Sequence, residues 1–289
     1  RTTLMNAAFQ SNTSKSLIRE FQYPTHGPGM MWERFSERVE GLGGEVKLNT
    51  EVVGFVRSGT RISGVVTRRD GKTETISGEH IISSMPIDEL ILKIDPPPPA
   101  AVTEAARQLK HRDFILVGLI INQPVLFPDN WIYVHSPGVR VGRIQNYKNW
   151  SAAMVADARK SNLGMEYFCS VGDDLWTMSD EELIALARRD LEALGLGMAE
   201  DIEDGFVIRQ PKAYPVYDQV YRSHLEVIQG YLCTLENLQT IGRNGMHRYN
   251  NQDHSMLTGI KAARNLMGEQ HDLWNVNTER SYYEEFASS

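Results

Sequence analysis

The sequence predicts a chain of mixed α/β and α+β character, and three observations predict it. Through the first 85 residues one helical-period segment alternates with several β-type runs. The run "DPPPP", Asp95–Pro99, cannot enter a helix interior or a central strand and marks a boundary. Beyond it, apolar runs succeed one another with no long helix between, the pattern of an antiparallel sheet. At 289 residues, 41% hydrophobic and 23% charged, the chain has material for one or two domain cores.

The elements follow in order. Residues 1–20 are polar and weakly patterned, a lead-in helix at most. In "GPGMMWERFSERVEGLGG" the residues Met31, Phe35, Val39 and Leu42 share a helical face, with Pro28-Gly29 at its start and Gly43-Gly44 at its stop. "EVKLN", "VVGFVR" and "RISGVVTRR" read as strands, the last two joined by a tight turn at "SGT", with further strands through Ile76 and at "HIISSM". A short helix at 100–109 leads to "FILVGLIIN", "NWIYVH", "VGRIQNY" and "GMEYFCS", four strands. "SDEELIALARRDLEAL" is a helix with a capping box from Ser179 to Glu182 and an apolar face of Leu183, Ala187, Leu191 and Leu194. A strand at "GFVIRQ", a loop at "PKAYPVYD", a helix near 218–232, a strand at "NLQTIG" and a helix over 253–267 complete the chain, with 270–289 a loosely held tail.

A net charge of −7 argues against a general nucleic-acid binder, and no apolar run reaches the length of about 18 residues that spans a membrane. Cys169 and Cys233 show no CxxC spacing and fit buried thiols in a reducing, cytoplasmic setting. The chain opens on Arg1 with no visible leader, as expected of a processed chain or a fragment.

Two segments, "THGPGMMWERF" and "RYNNQDHSML", deliver a helix N-terminus from a Gly-rich or polar turn. Such termini expose unpaired N–H groups and the positive end of the helix dipole, a natural seat for phosphate or a carbonyl-type oxygen. Gly27 and Gly29 let a flat ligand approach the backbone. Each segment also has a ligand-free account, as a tight turn or as an N-cap from Asn251 or Asp253. Trp131, Tyr133, Tyr147, Trp150 and Tyr167 give the middle strands more aromatic rings than a plain sheet face needs. Arg140, Arg143 and Lys148 stand near them for a phosphate. His247 and His254, seven apart around Asp253, lack metal-site spacing, so no metal is expected. No GxSxG supports a serine nucleophile, and no carboxylate pair stands out for glycoside hydrolysis.

The segment "NLQTIGRNGMHRYNNQDHSMLTGIKAARN" resembles the C-terminal flavin-contacting segment of the FAD-dependent amine oxidase superfamily, nearest its protoporphyrinogen oxidase-like and UDP-galactopyranose mutase-like branch. The resemblance implies that Gly242 and Arg243 lie beside the ribityl chain. It implies also that Asp253, with His254 and Ser255 behind it, opens a helix aimed at the pyrimidine edge of the flavin. "YPTHGPGMMWERFSERVEGLGGEVKLNTEVVGF" resembles the superfamily's Gly-rich loop, helix and strand, which implies cofactor contacts for Gly27, Gly29 and, at the adenine, Val52. "IISSMP" resembles the stretch near the flavin diphosphate and implies Ser83. Tyr133, Arg143 and Trp150 are candidates for the substrate, and Tyr214 and Tyr217, in "PKAYPVYD", fall on the return from substrate domain to flavin domain. No catalytic residue is singled out.

The fold implied is the C-terminal majority of an FAD-binding, Rossmann-like domain carrying an inserted antiparallel-sheet substrate domain. Residues 1–90 and 236–289 fall to the first and 91–235 to the second. One departure is large: GxGxxG followed by an acidic residue about 20 positions on is absent. The expected cofactor is FAD, and the expected partners are a small-molecule substrate and an N-terminal segment supplied in trans. The expected activity is hydride transfer from an organic substrate to flavin N5. A UDP-galactopyranose mutase-like isomerase and a non-catalytic remnant of the fold stand as alternatives.

Overall fold

A computed structural model describes residues 22–278 of the protein, so the lead-in segment at 1–20 lies outside the described residues. Helix α1, Gly29–Gly41, precedes the hairpin of β1, Glu51–Ser58, and β2, Arg61–Arg69, which continues into β3, Lys72–Ile76. Strand β4, Ile81–Ser83, leads to helix α2, Ile87–Leu92, strand β5, Ile94–Asp95, and helix α3, Ala100–Gln108. Long strand β6, His111–Ile121, is followed by β7, Trp131–Tyr133, β8, Arg143–Asn146, and β9, Ser161–Cys169. Helix α4, Asp180–Ala193, strand β10, Ile202–Pro215, helix α5, Tyr221–Leu232, strand β11, Leu238–Thr240, and helix α6, Gln252–Leu266, follow.

The strands form three sheets, ordered β3-β2-β1-β5, β10-β6-β9-β8-β7 and β11-β4. The five-stranded sheet is antiparallel throughout, as the consecutive apolar runs predict. Ile115, Val117, Leu119 and Ile121 alternate along β6 onto one face, where they meet Leu163, Met165 and Tyr167 of β9 and Leu183, Ala187 and Leu191 of α4. Helix α4 carries the expected capping box between Ser179 and Glu182. With one face sealed by α4, the register commits the other to a different set. Tyr133, Arg143, Glu166 and Leu116 lie in one row across four strands, and Trp131, Gln145, Gly164 and Gly118 in the next.

A second core joins Phe55 and Ile62 of the first hairpin to α2, α3 and α5. Helices α3 and α5, expected in the substrate domain, thus share apolar packing with β1 and β2. The third sheet is a parallel pair, Ile81 opposite Leu238 and Ser83 opposite Thr240.

Several local expectations are corrected. "EVKLN" is irregular chain, because the turn at Leu48-Asn49 (Asn49 at φ 55°) breaks the extended path before Glu51. "PKAYPVYD" is mostly strand, since β10 runs on to Pro215 through an irregularity at Lys212 (φ 52°). Helix α1 forms where predicted but buries none of its residues. The tail is held as far as it is described: Leu273 and Val276 are buried, and Arg248 donates to the carbonyls of Trp274 and Val276.

Candidate functional site

The polar face of the five-stranded sheet carries a buried ion pair, Arg143 with Glu166. Burial pushes the Glu166 carboxyl up, opposed by Arg143. Burial works against the Arg143 charge, and the bond to Glu166 overrides it and holds the guanidinium protonated. Gln145 donates to the other Glu166 oxygen at 3.2 Å, and its own oxygen accepts from the Trp150 indole at 3.1 Å. The Arg143 guanidinium lies 5.8 Å from the Tyr133 ring and donates to the Tyr214 hydroxyl at 3.5 Å. A planar cation held on one side by carboxylate and on the other by aromatic rings has one orientation.

Tyr214 stacks on Tyr249 with ring centroids 5.6 Å apart, and Arg243 covers both, 4.7 Å and 5.0 Å from their rings. Arg243 is fixed by the Asn250 carbonyl at 2.8 Å and the Ala213 carbonyl at 3.3 Å. From Tyr133 the aromatic surface runs through Trp131 and Trp150 to Tyr23, which stacks on Trp150 at 5.1 Å. Gly164 makes room for this face: a side chain there would meet the Tyr147 hydroxyl at 2.5 Å. Burial pushes the Tyr147 hydroxyl up to about 12.

The fold therefore gathers Tyr133, Arg143, Trp150, Tyr214 and Arg243 into one band. Gly27 joins it from the N-terminal side: its φ is 87°, and a side chain there would meet Met154 at 3.2 Å. A side chain at Gly29 would meet nothing within 4 Å among the described residues. Gly242, at φ 78°, donates its N–H to the Thr258 hydroxyl and its carbonyl accepts from Asn250. The following one-turn helix, Gly242–Gly245, brings Gly245 so near Ser83 that a side chain would meet the Ser83 carbonyl at 2.9 Å.

Other predicted residues sit apart. Tyr217 stacks on Tyr221 at 4.5 Å on the far side of the loop, where its hydroxyl accepts from the Tyr249 N–H at 2.6 Å. Val52 lies in the first sheet, and its carbonyl accepts from Lys93. His254 completes a capping box with Asn251, which is the N-cap of α6. Asp253 is exposed in the first turn beside His254, and the Ser255 carbonyl accepts from Thr258. Arg140 and Lys148 do not serve the band: Arg140 forms a bidentate pair with Asp174, and Lys148 donates to the carbonyls of Ala158 and Lys160. Tyr167 is core, its hydroxyl donating to Asp190 on the α4 side.

Sequence reasoning missed Tyr249, Glu166, Tyr23 and Asn250. The signals that could have found them are weak: Glu166 is a charge inside an otherwise apolar run, and Tyr249 stands six residues past Arg243 in "GRNGMHRY".

Over residues 4–250 the sequence matches the family described as flavin containing amine oxidoreductase. The chain belongs to that family. The solved structures it resembles include a reduced UDP-galactopyranose mutase, at 18% identity and TM-score 0.74, covering 87% of this chain and 54% of the other. A candidate protoporphyrinogen oxidase from Exiguobacterium sp. 255-15 matches at 16% identity and TM-score 0.60, covering 83% of this chain and 51% of the other. A putrescine oxidase with putrescine bound matches at 18% identity and TM-score 0.55, covering 84% and 53%. The flavin amine oxidoreductase chain thus spans about half the length of these structures. No curated protein matches it.

A flavin is the cofactor this family membership implies. The residues beside the band fit its ring and ribityl side. Among the described residues, a side chain at Gly29 would meet nothing within 4 Å, and one at Gly242 would meet only Ser84, at 3.9 Å. The Asn244 side-chain oxygen is buried nearby with no hydrogen-bond partner. No Gly-rich strand-to-helix turn for the diphosphate occurs among the described residues.

Proposed function

We propose that this chain is the ring-side and substrate-side portion of an FAD-dependent oxidoreductase acting on a small organic molecule. Bound flavin would supply the hydride acceptor, its N5. Gly27, Gly29, Ser83, Gly242 and Arg243 are the residues proposed to hold the ring and ribityl chain, and Val52 the adenine. The N-terminus of α6, with Asp253, His254 and Ser255, is proposed to face the pyrimidine edge. The single observation that carries the reading is the joining of Arg243, from the flavin-contacting segment, to Tyr214 of the substrate sheet within one stacked group. In that group Arg143 and Arg243 orient polar substituents of the substrate, Tyr214 and Tyr249 give it a flat platform, and Trp150 with Tyr23 shields the end from water. Glu166 positions Arg143. Tyr217 acts on this platform through the Tyr249 backbone.

The diphosphate is proposed to rest on a strand, Gly-rich turn and helix from outside the described residues, in a longer chain or in trans. The two-stranded parallel sheet β4–β11 supports this, because such a pair needs further strands to be stable. A visible absorption spectrum before and after adding FAD tests the reading, with and without that unit. Flavin absorbance retained on gel filtration is expected when the unit is supplied; a colourless protein in both cases overturns it.

A second reading has its own observation. Two guanidinium groups flanking stacked tyrosines suit a substrate bearing phosphate, as in a flavin-dependent isomerase of a nucleotide sugar. Binding of UDP-galactopyranose to the reduced protein with no net change in flavin absorbance would favour it. Bleaching of the flavin by an amine or other reductant favours the first.

A further inference from the structure

Strand β10 changes character just before it reaches the aromatic band. Its pairing with β6 is irregular between Gln210 and Tyr214, and inside that irregularity Lys212 stands at φ 52°. Glycine adopts this left-handed conformation freely, whereas a residue with a side chain adopts it at a cost. The backbone alone gives no reason for a lysine here, so the reason lies in its side chain.

Bonds to three elements hold Lys212. Asp113 of β6 accepts from its N–H at 2.7 Å, and Asn244, in the one-turn helix Gly242–Gly245, donates to its carbonyl at 3.0 Å. Its ammonium lies between two carboxylates of helix α2, 2.6 Å from Asp88 and 2.9 Å from Glu89. Burial works against the ammonium charge, and the bonds to Asp88 and Glu89 override it. Glu89 has a second cation in Lys93, at 3.3 Å. Beside Asp88 stands His111, whose Nε2 is 3.9 Å away and makes no hydrogen bond. Asp88 therefore depends on Lys212.

The band begins at the very next residue. The Ala213 carbonyl accepts from Arg243 at 3.3 Å, and the Tyr214 ring lies 4.7 Å from the same guanidinium. On the other side of the joint, Asn244, which holds the Lys212 carbonyl, is the chain neighbour of Arg243. Tyr214 from the sheet and Arg243 from the turn are thus joined through the backbone that Lys212 anchors.

We propose that Lys212 is a positioning residue for the band: its ion pairs with Asp88 and Glu89 tie the β10 irregularity to α2 and so set Tyr214 under Arg243. Lys212 acts through Ala213 and Asn244 and not on a bound molecule. The functional meaning of this role rests on the band being the substrate site of the proposed oxidoreductase; the geometric claim does not.

The test puts 3-fluorotyrosine in place of Tyr249, whose ring stacks on Tyr214 and lies 5.0 Å from Arg243, in the full 289-residue chain without flavin. Arg243→Ala supplies the fluorine NMR shift of an uncovered stack. Lys212→Met alone would strand the Asp88 carboxylate, so it is combined with Asp88→Asn, which removes both charges of the pair. This double variant is expected to keep a cooperative urea transition, yet to move the fluorine signal in the direction of Arg243→Ala. Lys212→Gln, which removes the cation and keeps a hydrogen-bond donor, is expected to move it the same way. A signal that stays at the parent position in either folded variant overturns the proposal, because Lys212 would then stabilise the fold without setting the band. No readout needs flavin. A chain that never retains flavin would overturn the oxidoreductase reading and leave this result standing.

Discussion

His247 is neutral in the folded protein because burial, first, and the neighbouring His111 ring, second, hold its pKa down to about 4 against an ordinary 6.5. Burial also lowers His111. Between pH 6.5 and 4 the unfolded chain takes up a proton that the native His247 refuses, so stability is whole above pH 6.5 and falls as pH drops toward 4. The loss attributable to His247 is about 3 kcal/mol. Urea unfolding at a series of pH values should show this slope in the parent chain and a flatter one in His247→Phe; equal slopes would refute the assignment. Arg243 makes a different residue-scale case. It lies over two rings and donates to two backbone carbonyls, so Arg243→Ala should lower unfolding free energy by about 2–3 kcal/mol. Arg243→Lys should recover only part of that, because an ammonium cannot cover both rings and reach both carbonyls. Arg143, Tyr214 and Arg243 were legible in the sequence, since charge and aromatic residues beside strands invite attention. Glu166 and Tyr249 were not, because their partners lie 23 and 35 residues away: sheet register brings Glu166 to Arg143, and the stacking of a loop residue on β10 brings Tyr249 to Tyr214.

Elements were read well where the signal was local. The capping box of α4 sits where Ser179 and Glu182 predict it. Ser179→Ala should cost about 1 kcal/mol in urea unfolding, and a loss under a few tenths would mean that the box contributes little. Reading failed where a distant contact decides. Strand β10 continues past "RQP" because β6 pairs with it as far as His111, and Asp113 accepts from the Lys212 N–H at 2.7 Å across the irregularity. The Gly242–Gly245 turn is likewise set by a distant contact. Its last glycine is required by the Ser83 carbonyl, from a strand 162 residues earlier in the chain. Gly245→Ala sets a methyl group against that backbone, where neither partner can swing aside. A loss of roughly 2 kcal/mol or more is expected, measured by thermal or urea unfolding.

At the scale of the molecule the antiparallel sheet was visible in the sequence, because its strands follow one another and alternate. The remainder was harder, since β4 finds β11 only after the whole substrate sheet has intervened. The two regions also differ in how they are held. Strands β6 and β9 lie inside a five-stranded sheet over a continuous apolar core, whereas β4 and β11 have only each other among the described residues. Local opening follows such differences, so amides at Ile82 and Gln239 should exchange with solvent much faster than those at Val117 or Met165 in the 289-residue chain. Supplying the proposed nucleotide-binding unit together with FAD should slow exchange in β4 and β11 at least tenfold, by adding strands and ligand to the native state alone. Protection in β6 and β9 should scarcely change, because their core is already complete. Slow exchange at Ile82 and Gln239 in the isolated chain would mean that the parallel pair needs no further partner, and the case for a diphosphate seat outside the described residues would lose its structural support.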